Sequence, residues 1–199
     1  LQKFLDKDDK FSRYAWNVLS DVLYYVLCIT EEIALDINSI DEAMKNGFGW
    51  QLGPFEIIDK IGTSFLKQKL NNSKKNIPSL LNDIGDNKFY KVIENVIKFY
   101  NFKSKDYTTL KRSEGIILLS DIKKINKPIK KINTASLWDI GDQITVFEIH
   151  SKSNTIDMAT MEFLNQSIDI VASSFKAMII YNEGDFFSAG VNLGEALFL

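Results

Sequence analysis

The sequence predicts an α+β protein in which an all-α helical domain precedes an α/β segment. Apolar residues recur at helical spacing through the first hundred residues, whereas after Thr134 they alternate with polar residues as in strands. A Lys-rich stretch, residues 121–134, lies between the two patterns. We therefore expect a helical domain at 1–110, a basic linker at 111–134 and an α/β segment at 135–199.

The composition is that of an ordinary soluble globular protein, with 45% apolar and 25% charged residues and a net charge of −2. This charge balance argues against nucleic acid or an anionic membrane as a partner. The longest apolar run, residues 22–29, is far shorter than the ~20 residues that span a bilayer, so no membrane span is expected. No signal peptide is visible, and the first residue is Leu rather than Met, which suggests that the chain begins inside a longer reading frame or after processing.

The single cysteine, Cys28, cannot form an internal disulfide, which fits a cytoplasmic protein. We expect it to be a small buried core residue, because it lies within an apolar helical stretch.

Helical spacing predicts the elements of the first hundred residues. The longest helix is expected at residues 11–35, with one broad apolar face. Pro54 is suited to the first turn of a later helix, because its ring presets φ and that position needs no N–H donor. The remaining predicted helices are at 41–46, 54–70, 79–83 and 89–100.

The pattern of the C-terminal part is that of alternating strands and helices. We expect a hairpin of strands 135–140 and 143–150, a helix at 157–173 and a buried strand at 176–181. A glycine-containing loop at 182–190 and a helix starting at 191 complete the pattern. The stretch 121–134 has five Lys but no aromatic residue and no Arg, which favours a solvated linker over a nucleic-acid patch.

Few isolated residues indicate chemistry. His150, Asn17 and Ser188 are better explained as an edge-strand residue, helix surface and a loop serine, because no activating partner is placed beside them by sequence. The pair Glu31-Glu32 is expected to be solvated, and no Cys/His cluster has metal-ligand spacing. Asp59, on an apolar helix face, needs a hydrogen-bond donor if it is buried.

The segment 40–62 carries a specific pattern: Ile-Asp-Glu-Ala-Met, then Gly47 and Gly49, then Gly-Pro-Phe at 53–55, then Asp59 and Gly62. It resembles the signature of the C-terminal helical domain of 3-hydroxyacyl-CoA dehydrogenases. That family binds NAD through a Rossmann unit, which also carries its catalytic His–Glu pair. No Gly-x-Gly-x-x-Gly follows a strand here, so we expect this chain itself to bind no cofactor.

Residues 135–157, together with Phe-Ser-Ala-Gly-Val-Asn-Leu at 187–193, resemble the start of a crotonase (enoyl-CoA hydratase/isomerase) domain. The order of the two domains is similar to that of bifunctional fatty-acid β-oxidation enzymes of the FadB type. The resemblance implies that the backbone N–H of Val191 is one oxyanion-hole donor, that Ala189 and Gly190 contact substrate, and that Lys152 and Asn154 line a CoA surface, with a plain β-turn as the alternative for the last two. Asn192 stands where many relatives have Asp.

In that family a second donor and the acid–base carboxylates come from later residues, so the crotonase part is expected to be incomplete. The first hypothesis is a fragment of a β-oxidation enzyme that acts on acyl-CoA thioesters and is inactive alone, with NAD and acyl-CoA implied for the longer enzyme. The alternative is a helical interaction or dimerisation module that docks another β-oxidation subunit or a second copy. A third is a piece of a complete enzyme whose other segments lie in the same polypeptide. With half a sheet uncovered, we expect aggregation or disorder beyond residue 135 unless another chain covers it.

Overall fold

The computed structural model describes residues 1–184 and 186–196. Asp185, in the predicted loop 182–190, and residues 197–199, at the end of the predicted α/β segment, lie outside the described residues. The chain divides into two compact units, Leu1–Lys111 and Arg112–Leu199, called unit 1 and unit 2. The mixture of helices and sheets agrees with the predicted α+β class.

Unit 1 begins with helices. They are α1 (Gln2–Leu5), α2 (Lys10–Ile33), α3 (Ile37–Phe48), α4 (Pro54–Ile61), α5 (Thr63–Asn72) and α6 (Ser79–Ile84). The side chain of Asp9 accepts hydrogen bonds from the first amides of α2, and Asp36 does the same for α3. These caps explain why α3 begins four residues before the helix predicted at 41–46.

The helix predicted at 54–70 is two helices, α4 and α5, because the chain turns at Gly62. Gly62 has a φ of 91°, a conformation that side-chain-bearing residues rarely adopt, so the α-helical hydrogen-bond ladder ends there. The apolar spacing continues across the break, since both helices face the same core, and for that reason periodicity alone did not reveal it.

The prediction of a helix at 89–100 is wrong, and so is the prediction that residues 1–110 form an all-α domain. These residues belong to an antiparallel sheet of β1 (Tyr90–Ile93), β2 (Val96–Asn101) and β3 (Asp106–Thr109). Glu94 and Asn95 have φ values of 53° and 58°, which form the two-residue turn that joins β1 to β2. The apolar spacing suits a helix, but the β-branched residues on both sides of this turn favour strands.

The core of unit 1 lies between its helices and the sheet. The rings of Phe55, Phe89 and Tyr100 form a chain, with centroids 4.8 Å and then 6.3 Å apart, that joins α4 to β2. Other large side chains of unit 1 that are almost fully buried include Leu23, Leu27, Ile37, Ile58, Ile61, Leu66, Leu70, Leu80 and Leu81. The sheet therefore closes the apolar side of the helices.

The expectation that Cys28 is buried is wrong, because the thiol is exposed. Its neighbour Leu27 lies in the core, and Tyr25 is exposed, so the helix turns Cys28 away from the packed face. The apolar character of this stretch extends around more of α2 than the core covers.

Unit 2 is built on a four-stranded sheet. Its strands are β4 (Lys130–Lys131), β5 (Ala135–Gly141), β6 (Ile144–Ile149) and β7 (Ala177–Ile180), in that spatial order. The first three are antiparallel, and β6 and β7 are parallel. The helices are α7 (Leu119–Ile125), α8 (Met158–Ser174) and α9 (Leu193–Ala196), with a 3₁₀ turn at Lys152–Asn154. The predicted hairpin, helix and strand are thus present with bounds shifted by one or two residues. The expectation that the strand at 176–181 is buried is wrong, because β7 is an edge strand and most of its residues are exposed.

The segment 111–134, which was predicted to be a solvated basic linker between two domains, contains α7 and β4, and nearly all of it belongs to unit 2. Lys130 and Lys131 pair with Leu137 and Ser136 and form one edge of the sheet. Lysines are common on edge strands, because their charge discourages pairing with further strands. The same Lys content that suggested a linker therefore also suits an edge strand.

Both faces of the sheet are covered in part. Leu137, Phe147 and Ile149 pack on Phe163 of α8, and on the other face Trp138 and Val146 pack on Leu119 of α7. The strand β7 lies at the second edge, where Ile179 and Tyr181 are 47% and 45% exposed. The expected aggregation or disorder beyond residue 135 stays a prediction, and these exposed apolar side chains are its physical basis.

Candidate functional site

The loop after β7 is attached to the turn that precedes α8. Ile156 and Val191 form a parallel bridge, in which the N–H of Ile156 donates to the carbonyl of Gly190 over 2.9 Å. The N–H of Asn192 donates to the carbonyl of Ile156 over 2.8 Å. The loop of residues 186–192, called the 186–192 loop, is therefore held as a short strand-like segment beside the start of α8.

The N–H of Val191 differs from those of Ala189 and Gly190 in its hydrogen bonding. The N–H of Ala189 donates to the carbonyl of Ser153 over 3.1 Å, and that of Gly190 donates to Ser188 Oγ over 3.0 Å. In a parallel bridge the central residue of the loop directs its N–H away from the partner strand. Among the described residues no acceptor is paired with the N–H of Val191, and this residue is 62% exposed. Within the part of the chain that the structure describes, this donor is therefore available to a ligand.

Ser188 is part of the loop's internal bonding. Its Oγ donates to the carbonyl of Asn154 over 2.6 Å while it accepts from Gly190. His150, the one histidine of the sequence, pairs instead with Ser136, with 2.8 Å between Nε2 and Oγ. Ser188 and His150 are thus engaged separately, which gives no nucleophile–base pair.

The structure brings Asn154, Ala189, Gly190 and Val191 together, whereas Lys152 stands at the exposed rim. Asn154 Nδ2 donates to the carbonyl of Phe186 over 3.3 Å. The helix expected to start at residue 191 begins at Leu193, because Asn192 Oδ1 accepts from the N–H of Gly194 and caps it.

A second cluster lies in unit 1 around Asp41, which is 0% exposed. The carboxylate of Asp41 accepts from the N–H of Phe55 at 2.9 Å, from that of Glu56 at 3.2 Å and from the Tyr90 hydroxyl at 2.9 Å. It therefore caps the first turn of α4 from another helix. The carboxylate of Glu56 accepts in turn from the N–H of Gly53 over 3.0 Å.

Asp59 ties α4 to the sheet. Its two carboxylate oxygens accept from the backbone N–H groups of Phe89 and Tyr90, over 2.6 and 2.8 Å. Asp59 is half-buried, and the expectation that it needs a hydrogen-bond donor is confirmed. Asp41 and Asp59 thus hold α3, α4 and β1 in register, which is a structural rather than a chemical role.

Burial shifts the titration of this cluster. It raises the pKa of Asp41 to about 7 and that of Asp59 to about 6, against the hydrogen bonds that stabilise the two carboxylates. The pKa of Tyr90 is raised by burial and by the nearby charge of Asp41. All three groups are therefore expected to be less ionised in the folded protein than in the unfolded chain.

We expect the free energy of unfolding of unit 1 to decrease as the pH rises from about 4 to about 7. In this range the folded protein holds protons on Asp41 and Asp59 that the unfolded chain has lost, so raising the pH favours unfolding. One such group contributes at most about 1.4 kcal/mol per pH unit. Urea unfolding across this pH range measures the slope. The variant Asp41→Asn should have a flatter slope, and an unchanged slope would contradict the assignment to Asp41.

Sequence reasoning missed three residues that the structure places at these clusters: Asp41, Tyr90 and Asn182. Asp41 lies within the quoted Ile-Asp-Glu-Ala-Met pattern, but nothing in the sequence pairs it with α4 fourteen positions later. Tyr90 lies within the range 89–100 that was predicted to be a helix, and no role was predicted for it. Asn182 is a buried polar residue directly after a strand, and that placement is the signal that could have indicated it.

The described residues do not fit an NAD site. The crossover between the parallel strands β6 and β7 begins with the 3₁₀ turn at Lys152–Asn154, not with a glycine-rich phosphate turn. The Asp157 carboxylate accepts from Thr160 N–H at the start of α8, where a pyrophosphate would need positive potential. Within the described ranges no group of three His, Cys, Asp or Glu side chains could hold a metal ion. No helix there is long and apolar enough to cross a membrane.

Comparison with known protein families gives a match within unit 1. Residues 17–107 match the family model of the 3-hydroxyacyl-CoA dehydrogenase C-terminal domain. The matched range includes Asp41, Gly53, Asp59 and Tyr90, so the buried carboxylate cluster lies within the segment that is similar to this family. No solved structure matches the chain significantly.

Three similar proteins extend the likeness over almost the whole chain. A Bacillus subtilis (strain 168) protein named "Probable 3-hydroxyacyl-CoA dehydrogenase" is 34% identical over 199 residues, covering 99% of this chain and 25% of its own length. Proteins named "Putative fatty acid oxidation complex trifunctional enzyme" from Rickettsia felis and Rickettsia prowazekii are 23% and 24% identical, covering 97% of this chain. This chain spans about a quarter of the length of these relatives.

Proposed function

We propose that this chain is the junction segment of a multifunctional cytoplasmic enzyme of fatty-acid β-oxidation that acts on acyl-CoA thioesters. Unit 1 is its 3-hydroxyacyl-CoA dehydrogenase C-terminal domain, and unit 2 is the N-terminal part of its crotonase-type hydratase domain. The family match of residues 17–107 and the three relatives support the dehydrogenase part. The free N–H of Val191 is the one observation that carries the hydratase part.

The chemistry of unit 2 follows from that donor. Hydration of an enoyl-CoA builds negative charge on the thioester oxygen, and backbone N–H groups aimed at this oxygen stabilise the enolate-like state. Val191 supplies one such N–H, and the 186–192 loop holds it without an internal acceptor. A second donor and the acid–base carboxylates come from segments after this chain. The chain alone is therefore expected to be inactive and to bind no NAD.

The first test is the mass of the endogenous polypeptide, measured in cell extract by intact-protein mass spectrometry. We expect a mass well above the 22.8 kDa of this chain, because the relatives are about four times longer. A product of 22.8 kDa or less would contradict the proposal of a segment within a working enzyme.

Substitution Val191→Pro in that endogenous polypeptide tests the donor, because proline has no N–H. We expect kcat for hydration of crotonyl-CoA to fall by roughly 10²-fold, the typical effect of one lost oxyanion donor. The matched control is Val191→Ala, which keeps the N–H and should retain activity. Dehydrogenase activity of the same polypeptide reports that the rest of the enzyme is intact. Full hydratase activity in a folded Val191→Pro variant would exclude the role.

A second candidate function is a helical docking module, and the outer face of α2 favours it. Phe11, Tyr14, Val18 and Tyr25 are exposed at spacings of three, four and seven residues, which place them on one stripe of the helix. The partner would be another β-oxidation subunit or a second copy of the chain. Light scattering of the purified chain measures self-association, which Val18→Lys should abolish and Asn17→Lys, one position off the stripe, should not. A monomer at high concentration would exclude the second copy.

A further inference from the structure

The side chain of Asn182 joins the end of the sheet to the 186–192 loop. Backbone pairing of β6 and β7 ends where the N–H of Tyr181 donates to the carbonyl of Phe147 over 3.0 Å. At the next step the N–H of Ile149 donates to Asn182 Oδ1 over 2.7 Å instead of to a backbone carbonyl. Asn182 is only 7% exposed, so its amide replaces a backbone carbonyl inside the protein.

The other end of the same amide holds the loop. Asn182 Nδ2 donates to the carbonyl of Phe187, four residues before Val191. From there the chain runs through Ser188 and Gly190, which are fixed to the 3₁₀ turn and to Ile156. The side chain of Asn182 is thus the described bridge between the rigid end of β6 and the start of the segment that presents the Val191 N–H.

The chemistry of this bridge needs an amide. One end must accept from an N–H and the other must donate to a carbonyl; the first bond is buried and the second is partly buried. An aspartate of the same shape would keep the first bond and lose the second, since its carboxylate oxygen would face the carbonyl oxygen of Phe187. The repulsion would push the loop away from the sheet while the bond to Ile149 stays intact.

We propose that Asn182 is a positioning residue that sets the direction of the Val191 N–H toward the thioester oxygen of a bound enoyl-CoA. This inference rests on the proposed hydratase role of unit 2. Asn182 does not touch the substrate. It fixes the position of the loop relative to the end of the sheet. The Val191 N–H therefore points directly at the thioester oxygen when that oxygen carries negative charge.

The experiment compares Asn182→Asp with Asn165→Asp in the endogenous polypeptide. Asn165 is exposed on α8, so its substitution makes the same change of charge away from the loop. The readouts are kcat and KM for crotonyl-CoA and the carbonyl stretching band of the bound thioester, by isotope-edited Raman spectroscopy. The band is measured only on folded protein that holds the ligand, so partial unfolding does not imitate the effect.

For Asn182→Asp we expect kcat to fall about 10-fold to 100-fold with KM changed less than about threefold, since the lost interaction belongs to the charged state. The thioester carbonyl band should move toward that of the free ligand, and Asn165→Asp should leave all three readouts unchanged. If Asn182→Asp does not fold, Asn182→Ala removes both bonds without adding charge and serves the same comparison.

Two failures are distinguishable. If Asn182→Asp behaves like Asn165→Asp while Val191→Pro loses hydratase activity, the positioning role is wrong and the proposed function stands. If Val191→Pro folds and keeps full hydratase activity and an unchanged carbonyl band, the proposed function itself is wrong, and the role of Asn182 falls with it.

Discussion

Replacing Gly53 with alanine is expected to destabilise unit 1 by at least ~3 kcal/mol. A Cβ at Gly53 would lie 2.2 Å from both Cβ and Cγ of Asp41. Asp41 cannot move aside cheaply, because its carboxylate is held by the N–H groups of Phe55 and Glu56 and by the Tyr90 hydroxyl. The loss comes from contact and not from backbone strain, since φ of Gly53 is −72°.

Gly47→Ala is the matched control for this substitution. A Cβ at Gly47, within α3, would meet nothing within 4 Å. Alanine is a better helix former than glycine, so we expect this variant to be more stable by about 0.5–1 kcal/mol. Urea unfolding followed by circular dichroism compares the two variants with the parent chain. Equal stabilities for both would show that the approach of α3 to the start of α4 is looser than the structure indicates.

Asp41→Ala should cost about 3–5 kcal/mol at pH 7. The substitution leaves the Phe55 and Glu56 N–H groups and the Tyr90 hydroxyl without their acceptor in a site closed to water. It also empties space against which Gly53 packs. The penalty should decrease as the pH rises from about 4 to about 7, because the wild-type protein loses stability in this range. Above the pKa of about 7 it should level off, since Asp41 is then charged in both the folded and the unfolded chain.

Asp8→Ala serves as the control for Asp41→Ala. Asp8 pairs with Arg13 over 2.6 Å, but its side chain is 93% exposed, so the expected change is below about 1 kcal/mol. Urea unfolding at pH 7 measures both variants. An Asp41→Ala penalty as small as that of Asp8→Ala would mean that water replaces the lost acceptor and that the cluster is not closed.

The parts of the fold that the sequence predicted are those in which one signal dominates. In the 24-residue helix α2 the apolar residues recur at helical spacing, and in the hairpin of β5 and β6 they follow the pattern of strands. The hairpin of β1 and β2 was missed because apolar residues three and four apart occur by coincidence on either side of a two-residue turn. The decisive feature there is the left-handed backbone of Glu94 and Asn95, which apolar periodicity does not report.

The sequence predicted the residues of the loop in unit 2 but not the long-range hydrogen-bond partners of Asp41 and Asn182. The residues of the 186–192 loop were identified by resemblance, and the structure adds the reason that Val191 differs from its neighbours, which is its unused N–H. The partners of Asp41 and Asn182 lie 14 to 49 and 5 to 33 positions away. Such pairs depend on tertiary packing, so no local pattern could indicate them.

The two edges of the sheet in unit 2 have opposite character. At one edge, Lys130 and Lys131 place two positive charges beside the backbone groups that a further strand would need. At the other edge, the last two residues of β7, Ile179 and Ile180, are apolar and nearly half exposed. Only the β7 edge of the sheet is therefore suited to pairing with a further strand. Any strand that extends it, whether from later in the same polypeptide or from another molecule, is expected to add beside β7.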